Sequence, residues 1–563
     1  MKNVLFYFLF AATSLTGFCQ DLIPAEGAKL NFVQVLFQTP AVQEAHSYKF
    51  LVAPENGNLH SASIVKNDPT HVTVIDGLEF GTAYKWLVLA KDKDGKEIFE
   101  SAIHHFSIQR SLAADSTEYR YAIHAYDTAR VEDGVVFLDY SGVAVDRRGK
   151  AVWFLPNVAG NLRMERLRDL SMTEAGTLTF LTNKVGIEID LQGHTLWKTP
   201  GDGKISGDTV EFYHHEFTRL NSGNYLILCN GFENKSLDFE DRHIERIPLS
   251  YVVEYDKTGD TAWTWHSGMY VRYDDYLKVG TKVFNGNSFG HMNSAHADEE
   301  NGLIYAGFRD LSAILVIDRK TRKVIRTYGD KIPSDTGKDA IGFFQKQHAP
   351  VPFGDHEVVV FNNNVVGATS SIVVFNEPTK EDPECRLKWE FTCDFDSLRP
   401  GNSDRLGNVQ PMPNDQFLVN MGNVARLFEV NRQNEILWDC LPDRWNRDSA
   451  RWEPFENYRL HYRKSLYPCF FSIALKEEIG QAPFLEITNE GSEDDIYFVD
   501  IIIPGEKTKD RYRFNTPVYA ESSWRFDFTT HLSKRILAGP FTIRVASKNN
   551  PDLVRELIYQ KDN

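Results

Sequence analysis

Cysteine is scarce in this chain, with six in 563 residues. If Cys19 leaves with an export signal, five remain: Cys229, Cys385, Cys393, Cys440 and Cys469. Such an odd, widely spaced set supplies neither a disulfide scaffold nor a zinc knuckle. Cys385 and Cys393 could clip two strands together, and buried free thiols are an equally good reading. Beyond the first residues no stretch approaches the roughly 20 apolar residues of a membrane-spanning helix. No Gly-x-x-x-x-Gly-Lys-Ser/Thr loop occurs, which disfavours a nucleotide-dependent transferase. His-x-x-x-His pairs are missing as well, which weakens a zinc or copper reading. Basic charge is outweighed, with 62 Lys and Arg against 78 Asp and Glu and a net charge of −16. That balance disfavours nucleic acid and anionic membranes as partners, yet leaves room for a small anion in a local basic pocket.

What is present is aromatic and strand-forming. Aromatic residues make up 13% of the chain, a content that favours strands over helices. The length calls for two to four domains rather than one core. Met1-Lys2-Asn3 followed by apolar Val4 to Phe18 reads as a signal peptide, residues 1–19, with cleavage after Cys19. A lipid anchor on Cys19 is the alternative, although bulky Phe18 before the cysteine suits that signal poorly. The mature protein is expected to be exported, into the periplasm.

Residues 20–110 alternate apolar and polar in short runs, and the pattern from Leu78 to Ala90 before the turn Asp92–Gly95 resembles a fibronectin type III sandwich. His104 and His105 are expected on its surface. From about 111 a unit repeats: an apolar strand that often ends in an acidic residue, a polar turn, and a strand closing on an aromatic. It runs from Val143 to Trp153, Ile187 to Trp197, Val252 to Trp263, Ile314 to Tyr328, Ile372 to Trp389 and Leu427 to Trp438. Six strand-built units of this size predict an all-β chain, a six-bladed β-propeller over 111–468. Strand patterns at Phe484–Ile487, Ile496–Ile503 and Phe541–Val545 predict a C-terminal β-sandwich over 469–563.

Three polar stretches stand just before apolar strands of this repeat. They are Tyr213-His214-His215-Glu216-Phe217, Phe289-Gly290-His291-Met292-Asn293-Ser294 and Gln347-His348-Ala349-Pro350. Counted back from the residues that open those strands, His215, Asn293 and His348 share one register, nine positions before Asn224, Gly302 and Glu357. A further strand ends by delivering Arg309. A propeller would bring such positions to one mouth of its channel, where three histidines, an amide and an arginine suit an anion.

These residues resemble the bacterial arylsulfate sulfotransferases over roughly 130–468. The carriers are His-His-Glu-Phe at 214–217, His-Met-Asn-Ser-Ala at 291–295, Phe-Arg-Asp-Leu-Ser-Ala at 308–313, and Gln-His at 347–348 ahead of Phe361-Asn362-Asn363. Ala425–Val430 and Ser465–Pro468 resemble the family's closing blade. The resemblance implies a six-bladed propeller with a small N-terminal sandwich, and sulfuryl transfer between phenols without a nucleotide donor. It implies His348 as nucleophile, with His215, His291 and Arg309 around the sulfate and Asn293 binding beside it. No cofactor or metal is implied; the partners are a small phenolic donor and acceptor, and a homodimer stays open. This chain departs from the family in its extra C-terminal region and in lacking an evident active-site disulfide.

Three other readings compete. The three histidines could hold zinc or copper. Gly286-Asn287-Ser288-Phe289-Gly290 matches a hydrolase pattern, but that motif needs a strand-turn-helix setting. A propeller flanked by sandwiches could also bind glycans or proteins without catalysis.

Overall fold

The computed structural model describes residues 22–560 except 43, 62–63, 157–166, 183–184, 240–241, 271–283, 286–287, 330–341, 365–368, 396–398, 400, 477–482, 505–511 and 538. The export signal expected at 1–19 lies outside the described residues. The chain is all-β: α-helix among the described residues is confined to two short turns, Phe528–His531 and Lys534–Leu537. No helix among them is long and apolar enough to cross a membrane.

Between Tyr119 and Arg463 the described strands form six successive antiparallel sheets of four or more strands, with two two-stranded sheets, Leu237–Phe239 with Arg242–Ile244 and Phe284–Asn285 with Ser288–Phe289, beside them. Their inner strands are β1 (Arg168–Met172), β2 (Phe212–Arg219), β3 (Met292–Asp298), β4 (His348–Phe353), β5 (Asn408–Met412) and β6 (Leu460–Arg463). Each of β1 to β5 opens its own sheet. By contrast, β6 returns from the end of the region to pair with Val135–Leu138, completing the sheet of Val143–Asp146 and Ala151–Phe154. The sheet of β5 also takes in Tyr119–Tyr126, which pairs with Ile436–Asn446. Among the described residues no sheet closes on itself. The inner strands do form a ring of contacts, from β6 to β1 and onward through β2, β3, β4 and β5 back to β6.

The repeating units legible in the sequence are the third and fourth strands of each sheet, counted from the inner strand. The third strands are near-continuous apolar runs, such as Ala313–Asp318 and Ser371–Asn376, and are buried along their length. Burial on both faces follows from each sheet packing between two neighbours. The aromatics that close the units reach across those packings. Trp153 Nε1 donates to Leu191 O (2.9 Å), Trp263 to Arg319 O (2.8 Å), Trp389 to Asn434 Oδ1 (2.9 Å) and Trp438 to Arg147 O (2.8 Å). Tyr328 donates to Glu377 (2.8 Å), and Trp197 stacks on Tyr225 with centroids 3.8 Å apart. Every one of these runs from a sheet to its successor, and Trp438 returns from the last sheet to the first.

The N-terminal residues form a six-stranded and a two-stranded sheet whose core, around Phe37, Trp86 and Phe106, continues into Phe137, Trp153 and Phe180 of the first two sheets of the ring. Beyond Phe471 a three-stranded and a four-stranded sheet enclose a separate core around Tyr497 and Ile543. Cys229, Cys385, Cys393, Cys440 and Cys469 are all free, so no clip joins Cys385 to Cys393.

Trp438 is fully buried, and removing its N–H strands the Arg147 carbonyl. Trp438→Phe is therefore expected to lower stability by about 1–3 kcal/mol. For Trp389→Phe, whose hydrogen bond is exposed, a loss under about 0.5 kcal/mol is expected. Urea unfolding followed by circular dichroism compares the two; equal losses would deny the closing role of Trp438.

Candidate functional site

Four inner strands break their ladder at one level. The register shifts between Arg168 and Ser171 in β1, His214 and Phe217 in β2, Met292 and Ser294 in β3, and His348 and Val351 in β4. Asp169, His215 and Ala349 in these bulges have φ of 55°, 64° and 49°, and His291, just before β3, has 50°. Left-handed backbone at non-glycine residues is costly, and it persists where surrounding structure over-determines it. Here the bulges turn side chains of neighbouring strands toward one place.

The ladder corrects the register expected from counting. His214, Met292 and His348 are the last paired residues before each shift, whereas His215 and Asn293 lie within it. Strand openings cannot reveal bulges of unequal make. His215 nevertheless turns into the cluster, through its own positive φ.

His215 Nε2 lies 3.2 Å from His291 Nε2, and its Nδ1 lies 2.7 Å from His214 Nδ1. The ring centroids of His215 and His348 are 6.5 Å apart, and Tyr458 touches both, at 5.9 Å and 5.2 Å. His348 is only 3% exposed, while His215 and His291 are half-buried. Burial holds His215 and His348 well below the usual imidazole range and pushes His214 down to about 3. His291 is lowered by burial too, with Arg309, Lys346 and Arg168 adding to the effect and Asp310 opposing it. All four rings are neutral at pH 7.

Beneath the histidines lies Arg459, which is 3% exposed. Its Nη1 pairs with Asp169 at 2.9 Å and Glu216 at 2.8 Å, and its Nη2 donates to Asn293 O at 3.1 Å. One guanidinium cannot balance two buried carboxylates. Burial wins at Glu216, raising it, while at Asp169 it is outweighed by Arg459 and His461, which pull it down. Asp139 braces the same place, accepting from the backbone N–H groups of Tyr140, Asp169, Tyr458 and Arg459.

Asn293 is fully buried and its Nδ2 donates to Gln347 O at 2.9 Å. Its amide is thus committed to the residue before His348. Gln347 in turn donates to Ala313 O at 2.7 Å. Opposite this bulge Gly307 admits no side chain, since a β-carbon there would run into Ser294 Oγ. Arg309 donates to Asp310 (2.9 Å) and to Asp404 O (3.1 Å), and Lys346 also reaches Asp310. Ser288 stands on a two-residue strand that leads into β3, so the setting its hydrolase motif requires is not there; Gly286 and Asn287 lie outside the described residues. Among the described residues no group of three or more His, Cys, Asp or Glu is placed to hold a metal ion.

Residues 125–380 match the family model for arylsulfotransferase (ASST). This segment belongs to the arylsulfotransferase family. No curated protein matches the chain. Among solved structures, a protein of unknown function from Bacteroides caccae is 11% identical over 59% of this chain and 99% of its own, with a TM-score of 0.38. The dihydro-heme d1 dehydrogenase NirN is 9% identical over 73% of this chain and 80% of its own, with a TM-score of 0.31.

The arylsulfotransferase segment contains His215, His291, Asn293, Arg309 and His348, and it ends well before Tyr458 and Arg459. Those two, with Asp169, are what motif reading missed. A signal was available in Tyr458-Arg459-Leu460-His461-Tyr462-Arg463, where charged residues alternate with apolar ones. That polar face turns to β1: Arg459 and His461 bind Asp169, and Arg463 donates to Met172 O at 3.0 Å.

Arg459→Met leaves two buried carboxylates without their cation, and a loss of about 3–5 kcal/mol is expected in urea unfolding. A loss below about 1 kcal/mol would show the hub to be dispensable. The histidines give stability a pH dependence. Their folded pKa values lie below about 6.5, their unfolded value, so the unfolded chain binds more protons below that pH and stability falls as pH falls. Between about pH 7.5 and 5.5 this loss should be smaller in His348→Asn than in the parent chain; an equal slope would mean that His348 is not held neutral.

Proposed function

We propose that this chain is an exported arylsulfate sulfotransferase. In this reading the six sheets are the blades of a propeller, flanked by an N-terminal fibronectin type III-like sandwich and a C-terminal β-sandwich, and the histidines sit on its axis. The observation that carries it is the meeting of His215, His291 and His348, from three strands far apart in sequence, inside an arylsulfotransferase segment.

His348, kept neutral, has the lone pair a nucleophile needs. Its ring nitrogen attacks the sulfur of an aryl sulfate; the N–S bond forms as the S–O bond to the ring breaks. The phenolate departs with the electron pair of the S–O bond and takes its proton from solvent. Neutral His291, the more open partner, takes the proton of an incoming phenol as the phenol oxygen attacks the sulfohistidine; the O–S bond forms as the N–S bond breaks, His348 is restored, and His291 releases the proton to solvent. Arg309, with Lys346 beside it, supplies positive charge for the sulfuryl oxygens. Asn293 acts through Gln347, positioning His348. Tyr458, with its hydroxyl buried and lacking a hydrogen-bond partner, is suited to donate to a sulfuryl oxygen that arrives between the rings.

Incubation with an aryl sulfate and no acceptor should leave a sulfuryl group on His348, and adding a phenol should discharge it. His348→Asn should abolish both steps, Arg309→Lys should slow turnover and leave it measurable, and Ser288→Ala should matter little. Intact-protein mass spectrometry with turnover of a chromogenic aryl sulfate decides this. A labelled His348→Asn protein or an inactive Ser288→Ala protein would refute the mechanism.

A further inference from the structure

A cavity of about 860 Å³ opens beside the histidine cluster, separated from it by two stacked tyrosines. Tyr140 lines the cavity and stacks on Tyr458, with centroids 6.4 Å apart and planes at 25°, while Tyr458 touches His215 and His348. The lining also includes Tyr119, Trp445 and Phe455 together with Arg110 and Arg444. Tyr119 and Phe455 meet edge to face at 5.4 Å, and the Arg444 guanidinium lies 5.7 Å over the Phe455 ring.

The charges of this cavity are unevenly spent. Glu118 is paired with Arg447, and Glu456 with Arg405 at 3.4 Å. The Asp139 carboxylate accepts four backbone N–H groups. Arg110 and Arg444 have no salt bridge or hydrogen-bonded acceptor among the described residues, although Asp115 lies within electrostatic reach of Arg110, and of the lining acids neither Asp139 nor Asp448 has a paired cation there. In a chain with a net charge of −16, two guanidinium groups without a salt bridge among the described residues, that of Arg444 over the Phe455 ring, form a local exception. Rings that stack and guanidinium forks that take oxyanions together match an arene bearing an acidic group.

We propose that this cavity binds anionic aromatic compounds, phenols that carry a sulfonate, sulfate or carboxylate, and holds them against the wall that backs the histidine cluster. Recognition has two parts: Tyr140 and Phe455 take the ring, and Arg110 and Arg444 take the anion. The ligand's role as sulfuryl donor or acceptor rests on the sulfotransferase reading; its binding does not.

The test is calorimetric titration of the full chain with 4-nitrobenzenesulfonate, whose carbon–sulfur bond prevents transfer, against neutral nitrobenzene. The sulfonate should bind and nitrobenzene should not. Arg110→Gln combined with Arg444→Gln should weaken the sulfonate by about tenfold or more, since each fork gives charge-assisted hydrogen bonds. Both arginines are exposed, so the fold should be untouched. No sulfonate binding, equal binding of nitrobenzene, or an unaffected arginine variant would each overturn the proposal. Failure to trap a sulfohistidine would leave this titration unchanged, so the two readings fail separately.

Discussion

Arg459 brings a full positive charge into the middle of the ring, where water cannot solvate it, and the surrounding chain is arranged to meet that charge. Asp169 from β1, Glu216 from β2 and the Asn293 carbonyl from β3 converge on a single guanidinium. A buried charge is tolerated only when paired and hydrogen-bonded, so three sheets are fixed relative to the strand that closes the first. Each ligand comes from a ladder bulge, and the bulges of β2 and β3 hold or adjoin residues of the cluster above. His215 precedes Glu216, His291 stands two residues before Asn293, and Asn293 holds Gln347, which precedes His348. Position at the site is thus set by an ion pair one layer beneath it.

The same crowding decides the protonation of the cluster. Four imidazoles share a partly dry space with Arg168, Arg309, Lys346 and Arg459 nearby, so each avoids taking a proton. Neutral rings surrounded by fixed positive charge suit a reaction in which an anionic group must be attracted and then attacked. Charge on the histidines themselves would help binding and remove the nucleophile.

Around this centre the fold is held by aromatics. A tryptophan or tyrosine at the edge of each sheet reaches its successor, and the series returns to its start through Trp438 and Arg147. The returning strand β6 closes the ring a second time, beside Val135–Leu138. Closure and site are coupled, because the residue just before β6 is Arg459.

The all-β class, the six strand-turn-strand units and the outer aromatics were legible in the chain alone, because period-two burial, Asp-x-x-Gly turns and a closing Trp or Tyr are local features. The histidine motifs were legible too, as were their order and the amide between them. Their register was not: bulges at Asp169, His215, Asn293 and Ala349 shift the side chains by amounts that no count of positions contains. The fate of the Asn293 amide and the partners of Arg309 also waited on the fold, since each reaches a residue from another segment. Arg459 is the clearest case. In sequence it is one arginine in an alternating strand, about 290 residues from Asp169, and only ring closure, driven by burial of the strands on either side, turns it into the pair that holds the site.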